Sequence, residues 1–376
     1  MSISVSPKAV NLSDIQAANE RIKSYVHRTP VLTSTTIDAF VTRRFNGSVN
    51  IRLLFKCENF QKAGAFKFRG ATNAIRSLVS ESVVTHVENP SRSYVKGDFV
   101  VITHSSGNHA QALALAAQQQ GVTCHVVMPS NAPSVKKAAV RGYGAIVTEC
   151  IPTLEAREQT VLEVTKRLEG SDPPVKVEFI SPYDDVKVIS GQGTTAMELM
   201  EQAVELTGRG LDALIVPVGG GGLLSGCAVA AKGTNKDILV IGAEPLGADD
   251  AFRSFYGKKF VPSVAPKTIA DGLLTSLGTH TFPLILQHVD AIQTVTEEQI
   301  IRTTKLVYER MKIVIEPSSA VSLAVALYSP DFVAMIEALA KRKGSHPEGL
   351  SVGIVFSGGN VDLVQLVERF RDVDGL

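Results

Sequence analysis

The sequence predicts an α/β protein, and three observations carry that expectation. An apolar strand-like run, a small or polar loop and a helical pattern follow one another three times, at 99–119, 213–232 and 352–371. Two of these units run on into a further strand pattern, as crossovers between parallel strands require. The 44% hydrophobic and 20% charged fractions are those of an ordinary globular chain. At 376 residues, about two domains fit, and neither disulfides nor metal staples are needed for folding.

In chain order, Asn11-Leu12-Ser13-Asp14 offers a capping Ser13 before a helical pattern reaching about Tyr25. Phe99 to Thr103 reads as a buried strand, His104 to Gly107 as a loop, and Asn108 to Gln119 as a helix. Thr123 to Met128 is the next strand. Ala213 to Val218 is a strand, Gly219 to Gly222 a loop, Leu223 to Lys232 a helix, and Ile238 to Ala243 a strand. Val352 to Phe356, Ser357 to Asn360 and Val361 to Arg371 repeat the unit. The polar stretches 88–98, 170–176 and 341–349 read as surface loops. Open parallel sheets bind ligands at the carboxyl ends of their strands. Topology therefore predicts that the three loops share one site.

Charge narrows the function. Lys plus Arg number 38 and Asp plus Glu 37, a net charge of +1, so nothing draws the chain toward nucleic acid or an anionic membrane. Near-zero net charge favours a defined oligomer over a free monomer. The cysteines Cys57, Cys124, Cys150 and Cys227 form no CxxC pair and read as reduced thiols of a cytoplasmic protein. The first residues lack the basic and apolar runs of a secretory signal. Ala213 to Ala231 carries no charge, yet Pro217 and four consecutive glycines make it a poor membrane span. No G-x-S-x-G elbow, H-E-x-x-H or Cys/His zinc spacing occurs.

Four features remain as candidate chemistry. Gly219, Gly220, Gly221 and Gly222 precede a helix, where free amides and the helix dipole suit a phosphate; a hinge is the plainer alternative. Lys67 lies between Phe66 and Phe68, and a desolvated lysine becomes a nucleophile for carbonyls. The bland reading is a lysine stem covering apolar surface. Ser105, Ser106, Gly107 and Asn108 suit either a substrate carboxylate or an ordinary helix cap. Glu244, Asp249 and Asp250 suit a divalent cation or a solvated acidic turn. Lysine, phosphate loop and α/β sheet together are what a pyridoxal phosphate enzyme needs.

The ordered motifs ENFQKAGAFKFRGA (58–71), SSGNHAQA (105–112), GQGT (191–194), PVGGGGLLSG (217–226), IADG (269–272), ERMK (309–312), EPSSA (316–320) and SGGNVD (357–362) resemble one family. It is the serine racemase and serine/threonine dehydratase group of fold-type II pyridoxal phosphate enzymes, which also holds hydroxyaspartate ammonia-lyase. The likeness runs from about residue 12 to 367. It implies two open twisted sheets flanked by helices, as in the tryptophan synthase β-like fold. It also implies a large domain of residues 1–79 and 187–376 and a small inserted domain of residues 80–186.

The resemblance assigns roles to residues. Lys67 is the Schiff-base lysine and the base on one face of pyridoxal 5′-phosphate. Ser106 serves the other face, and the 105–108 loop holds substrate. Asn108 meets the pyridoxal 3′-oxygen, Gly219 to Gly222 the phosphate, and Ser357 the pyridine nitrogen. Glu244, the Ala248 carbonyl and Asp250 match a site for Mg²⁺, or for Ca²⁺ or Mn²⁺. Gln111 falls where racemases contact ATP, a candidate effector. The implied activity is β-elimination from L-serine or L-threonine to a 2-oxo acid and ammonia, with racemisation of serine from a shared intermediate. Main activity on 3-hydroxyaspartate, β-replacement as in cysteine synthases, and a non-catalytic cofactor carrier are the alternatives. A homodimer acting on small amino acids is expected. Because the motifs run to Asp362, no appended regulatory domain is expected. The segment 181–185 resembles the dehydratases more than the mammalian racemases.

Overall fold

The computed structural model describes residues 10–88, 99–132, 134–344, 349–371 and 373. Ten strands form two sheets: β1 (Val31–Leu32), β2 (Ile51–Cys57), β3 (Phe99–His104), β4 (Thr123–Pro129), β5 (Ile146–Cys150), β6 (Lys176–Phe179), β7 (Ala213–Pro217), β8 (Leu239–Pro245), β9 (Ala291–Val295) and β10 (Leu350–Phe356). The larger sheet has the order β1-β2-β10-β7-β8-β9, and the smaller has β5-β4-β3-β6. Every pairing is parallel except β1 with β2.

Alternation along the strands explains why helices cover both faces of the larger sheet. Leu53, Phe55, Ile215 and Ile354 point into one core, with the helix Pro317–Tyr328 against it. Leu54, Leu214, Val216 and Val355 point into the opposite core, under the helices Val186–Thr207 and Gly222–Thr234. Phe55 and Phe356 stack at 5.0 Å between ring centroids on the adjacent strands β2 and β10. Truncating any such buried side chain to alanine costs about 2–5 kcal/mol.

The register sets the position of the site. In the order β2-β10-β7, three neighbouring parallel strands end at one edge of the sheet. They deliver the segment leading to Lys67, the Ser357 loop and the glycine loop. Strand β3 of the smaller sheet delivers Ser105 to Asn108.

The three strand–loop–helix units stand as the sequence predicts, with small shifts. The first helix, Leu12–Ile22, is capped by Asn11 in a reciprocal capping box with Asp14, so Ser13 is not the cap. Asn11 accepts from the Asp14 amide while its own amide is taken by the Asp14 carboxylate, which satisfies two orphan donors at once. The last helix runs Leu363–Phe370 and starts later than expected, because Asp362 caps it. Lys341 to Lys343 end a helix rather than open a loop. The expected loop at 88–98 lies outside the described residues apart from Glu88, which closes the helix Lys67–Glu88. Ala213 to Ala231 folds as strand, loop and helix, and no single helix among the described residues is long and apolar enough to cross a membrane. All four cysteines are free.

Candidate active site

Lys67 opens the helix Lys67–Glu88. Its Nζ donates to the Pro182 carbonyl oxygen at 2.6 Å and lies 5.1 Å from the Phe66 ring centre. Burial pushes its pKa down to about 8, against the pull of the Glu316 carboxylate. A lysine in this state is partly neutral near physiological pH. The solvated-stem alternative fails, because the amine is held inside on a carbonyl.

The Ser357 loop closes on the same segment. Ser357 offers its carbonyl to the Phe66 amide at 3.0 Å, and Ala65 bridges to Gly358. The Ser357 hydroxyl lies 3.2 Å from that of Ser319. Ser319 gives its own proton to the Gly358 carbonyl at 2.6 Å and accepts the Gly358 amide at 2.8 Å. Ser357 is therefore the donor of the pair, and its hydrogen is the one that can turn to a ring nitrogen.

Gly107 holds the cap position of the helix Asn108–Gln120 without a side-chain cap bond, so Ser105 and Asn108 are not ordinary caps. Ser105 Oγ accepts the Gly107 amide at 3.3 Å. The half-buried Ser106 hydroxyl has no hydrogen-bond partner among the described residues. Asn108 Nδ2 donates to both Glu316 carboxylate oxygens, at 3.0 and 3.1 Å, and Asn108 Oδ1 accepts from Asn360 at 2.9 Å. A carboxamide nitrogen carries two hydrogens, so a second acceptor can still be served. Burial pushes Glu316 up to about 7; the Asn108 hydrogen bond opposes this and Asp271 adds to it.

The glycine loop leads into the helix Gly222–Thr234. Gly221 has φ +87°, a left-handed conformation that disfavours any side chain. A Cβ on Gly219 would meet the Leu273 Cα at 2.9 Å, and one on Gly222 the Tyr183 carbonyl oxygen at 2.8 Å; one on Gly220 would meet the Tyr183 ring. The loop is packed on these sides, which argues against a hinge. The amides of Gly219, Gly220 and Gly221 donate to no acceptor among the described residues. Free amides at a helix start form an anion cradle.

The pyridoxal-phosphate dependent enzyme family profile matches residues 22–358. The chain belongs to the pyridoxal-phosphate dependent enzyme family. It is 46% identical to the serine racemase of Dictyostelium discoideum over 358 residues, covering 94% of this chain and 96% of that one. It is 42% identical to the beta-hydroxyaspartate dehydratase of Paracoccus denitrificans, covering 94% and 97% of the two chains. The structure of maize serine racemase superposes with a TM-score of 0.78 at 41% identity, covering 97% of this chain and 98% of that one. The protein is therefore a catalytic pyridoxal-phosphate dependent enzyme, with the fold shared by racemases and β-eliminating lyases.

The residues present fit this family's cofactor. A buried amine of lowered pKa, an unpaired amide cradle and a hydroxyl whose hydrogen can turn away from Ser319 line adjacent strand ends. The sequence-predicted loops converge: Asn108 meets Asn360, and Tyr183 links Lys67's carbonyl partner to the glycine loop. Glu316, Ser319, Pro182 and Tyr183 were not singled out by sequence reasoning as site residues. Only their places in EPSSA and in the 181–185 segment mark them.

The acidic turn is not solvated. Glu244 and Asp250 are each 1% exposed, whereas Asp249 turns outward to Arg253 at 2.9 Å. Glu244 accepts the Ala251 and Phe252 amides at 2.9 and 2.7 Å, capping the helix Asp250–Gly257. Burial pushes Glu244 up to about 9 and Asp250 up to about 6. Both Asp250 carboxylate oxygens are buried without a hydrogen bond of normal geometry. Ala248 lies in the turn between them. Among the described residues, no group of three or more His, Cys, Asp and Glu gathers to hold a metal. The turn buries two carboxylates, Glu244 and Asp250.

Proposed function

We propose that this enzyme deaminates β-hydroxy amino acids, with L-serine or L-threonine giving a 2-oxo acid and ammonia, and that it also racemises serine. The observation that carries the reading is the Lys67 amine, lowered to about 8 and seated on Pro182, beside a hydroxyl rather than a carboxylate at Ser357. When bound, the cofactor supplies an electron sink for charge developing at the substrate Cα.

The chain's residues do the rest. Lys67 Nζ would hold the cofactor, and as a free amine it would act as the base for the substrate α-proton. Amides of Gly219 to Gly222 hold the phosphate. Asn108, fixed by Glu316 and Asn360, orients the 3′-oxygen side. Ser357 donates a hydrogen bond but cannot supply a full proton as an acid would. A hydroxyl at this position, in place of a carboxylate, would suit loss of the β-hydroxyl better than transamination. Ser106 Oγ delivers a proton to the opposite face, which gives the D-amino acid. A neighbour named for β-hydroxyaspartate favours 3-hydroxyaspartate as a second candidate substrate.

Glu244, the Ala248 carbonyl and Asp250 are proposed to hold Mg²⁺, Ca²⁺ or Mn²⁺. The two orphaned Asp250 oxygens support this. A homodimer, a small inserted domain at 80–186 and ATP as an effector are part of the same proposal and rest on the resemblance; a cytoplasmic location rests on the four free cysteines.

The test is spectroscopic. Protein reconstituted with pyridoxal 5′-phosphate should absorb near roughly 410–420 nm, as a protonated lysine adduct does. Lys67→Ala should lose both the band and turnover. Absence of the band in the wild type, with activity retained in Lys67→Ala, would overturn the reading.

A further inference from the structure

The GQGT motif, residues 191–194, lies in the helix Val186–Thr207, between the two ends of the cofactor site. One side of this helix crosses the helix that starts at Lys67. A Cβ on Gly191 would come within 2.6 Å of the Gly70 Cα and 2.8 Å of the Arg69 carbonyl oxygen. The other side crosses the helix that starts at Gly222. A Cβ on Gly193 would come within 2.8 Å of the Gly226 carbonyl oxygen, and one on Gly226 within 2.6 Å of the Gly193 amide nitrogen. Both crossings are backbone against backbone, closer than the spacing ordinary side chains impose.

The residues between and after the glycines tie the crossing to Lys67. Gln192 Oε1 accepts the Gly70 amide at 3.1 Å. That amide belongs to the first turn of the Lys67 helix. Gln192 thus acts as a side-chain cap on that turn from a neighbouring helix. Thr194 Oγ1 accepts from Arg69 Nη1 at 3.2 Å. The contacts fall three and two residues from Lys67 on one side, and four residues from Gly222 on the other.

We propose that Gly191, Gln192 and Gly193 are positioning residues that set the separation between Lys67 Nζ and the glycine-loop amides. This rests on the reading of Lys67 and that loop as the two ends of the cofactor site. A small rigid molecule gripped at both ends gains affinity only when the two grips are correctly spaced. Helix Val186–Thr207 is the spacer. Thinness at Gly191 and Gly193 fixes the distance, and the Gln192 cap fixes the turn that bears the lysine.

Pyridoxal, which lacks the phosphate, uses only the lysine end and provides the comparison. Apoprotein is titrated with pyridoxal 5′-phosphate and with pyridoxal, following the Lys67-dependent band, with Lys67→Ala subtracted as background. The spacing predicts that Gly191→Ala and Gly193→Ala weaken binding of the phosphorylated compound by at least about tenfold. Pyridoxal binding should stay within about twofold, so the ratio of the two constants collapses. Gln192→Leu should lower the ratio in the same direction without adding bulk at the crossings, and decides the matter if the glycine variants do not fold. Gly210→Ala, whose Cβ would meet nothing within 4 Å, should match the wild type. An unchanged ratio overturns the proposal, including the case in which both constants rise together. A wild type with no Lys67-dependent band overturns the functional reading, and the spacer with it.

Discussion

Lys67 is a cation kept off water, and its consequences are measurable. Its amine is pushed down to about 8 by burial, so the neutral nucleophile is present above that pH. Attachment of pyridoxal 5′-phosphate to apoprotein should speed up as pH rises through about 8 and then level off. A rate that keeps climbing beyond pH 10 would show an ordinary exposed amine. Glu316 gives a second test. Its pKa is raised from 4.5 to about 7, mainly by burial, so the native state holds a proton that the unfolded chain has lost. That contribution is present below about pH 4.5 and is lost as pH rises through 7. Urea unfolding of apoprotein should therefore show wild-type stability falling over that window relative to Glu316→Gln. The Phe neighbours of Lys67 left the solvated stem as the better local reading, and only the glycine loop and the family motif turned it toward a reactive amine. Ser319 was not legible in the sequence, because its role depends on meeting Ser357 on another strand end.

Among the elements, the helix Lys67–Glu88 is anchored by a buried ionic network. Arg69 bonds Glu58 at 2.7 Å and Glu198 at 2.8 Å, and Lys56 bonds Glu198 and Gln202 at 2.8 Å. Arg69, Lys56 and Glu58 are fully buried. Arg69→Ala leaves Glu58 buried without its ion-pair partner and Glu198 with Lys56 alone, and should cost about 3–5 kcal/mol in denaturant unfolding. Arg28→Ala, which breaks the exposed pair with Glu205, should cost less than about 1 kcal/mol. Near-equal costs would mean that the network contributes little. The strand–loop–helix units were readable because their apolar runs are short and bounded by glycine. The helix from Lys67 was not, because buried Arg69, Thr72 and Asn73 interrupt the apolar stripe of Phe68, Ala71, Ala74, Ile75 and Leu78. The Asn11 cap was misplaced by two residues because Ser13 offers the same chemistry inside the first turn.

The whole molecule brings distant segments together, and this is where sequence reasoning ended. β10 enters the sheet between β2 and β7, so Ser357 reaches Phe66 and Asn360 reaches Asn108 across most of the chain. Strand order of this kind is set by global packing and leaves no local mark. The rule that ligands lie at strand carboxyl ends predicted convergence, but not that Glu316 and Ser319 would join it. The buried acidic turn adds a molecular-scale prediction. Excess Mg²⁺ should raise thermal stability, by about 2.7 kcal/mol at a hundred times its dissociation constant, and Asp250→Asn should remove the gain. No shift on adding Mg²⁺, Ca²⁺ or Mn²⁺ would exclude the cation.

The most direct test of the central claim is product analysis of the holoenzyme with L-serine, measuring pyruvate, ammonia and D-serine together. The predicted result is equal pyruvate and ammonia, with D-serine alongside. All three should be lost in Lys67→Ala, and only D-serine in Ser106→Ala. Neither pyruvate nor D-serine from the wild type, with the cofactor bound at Lys67, would contradict it.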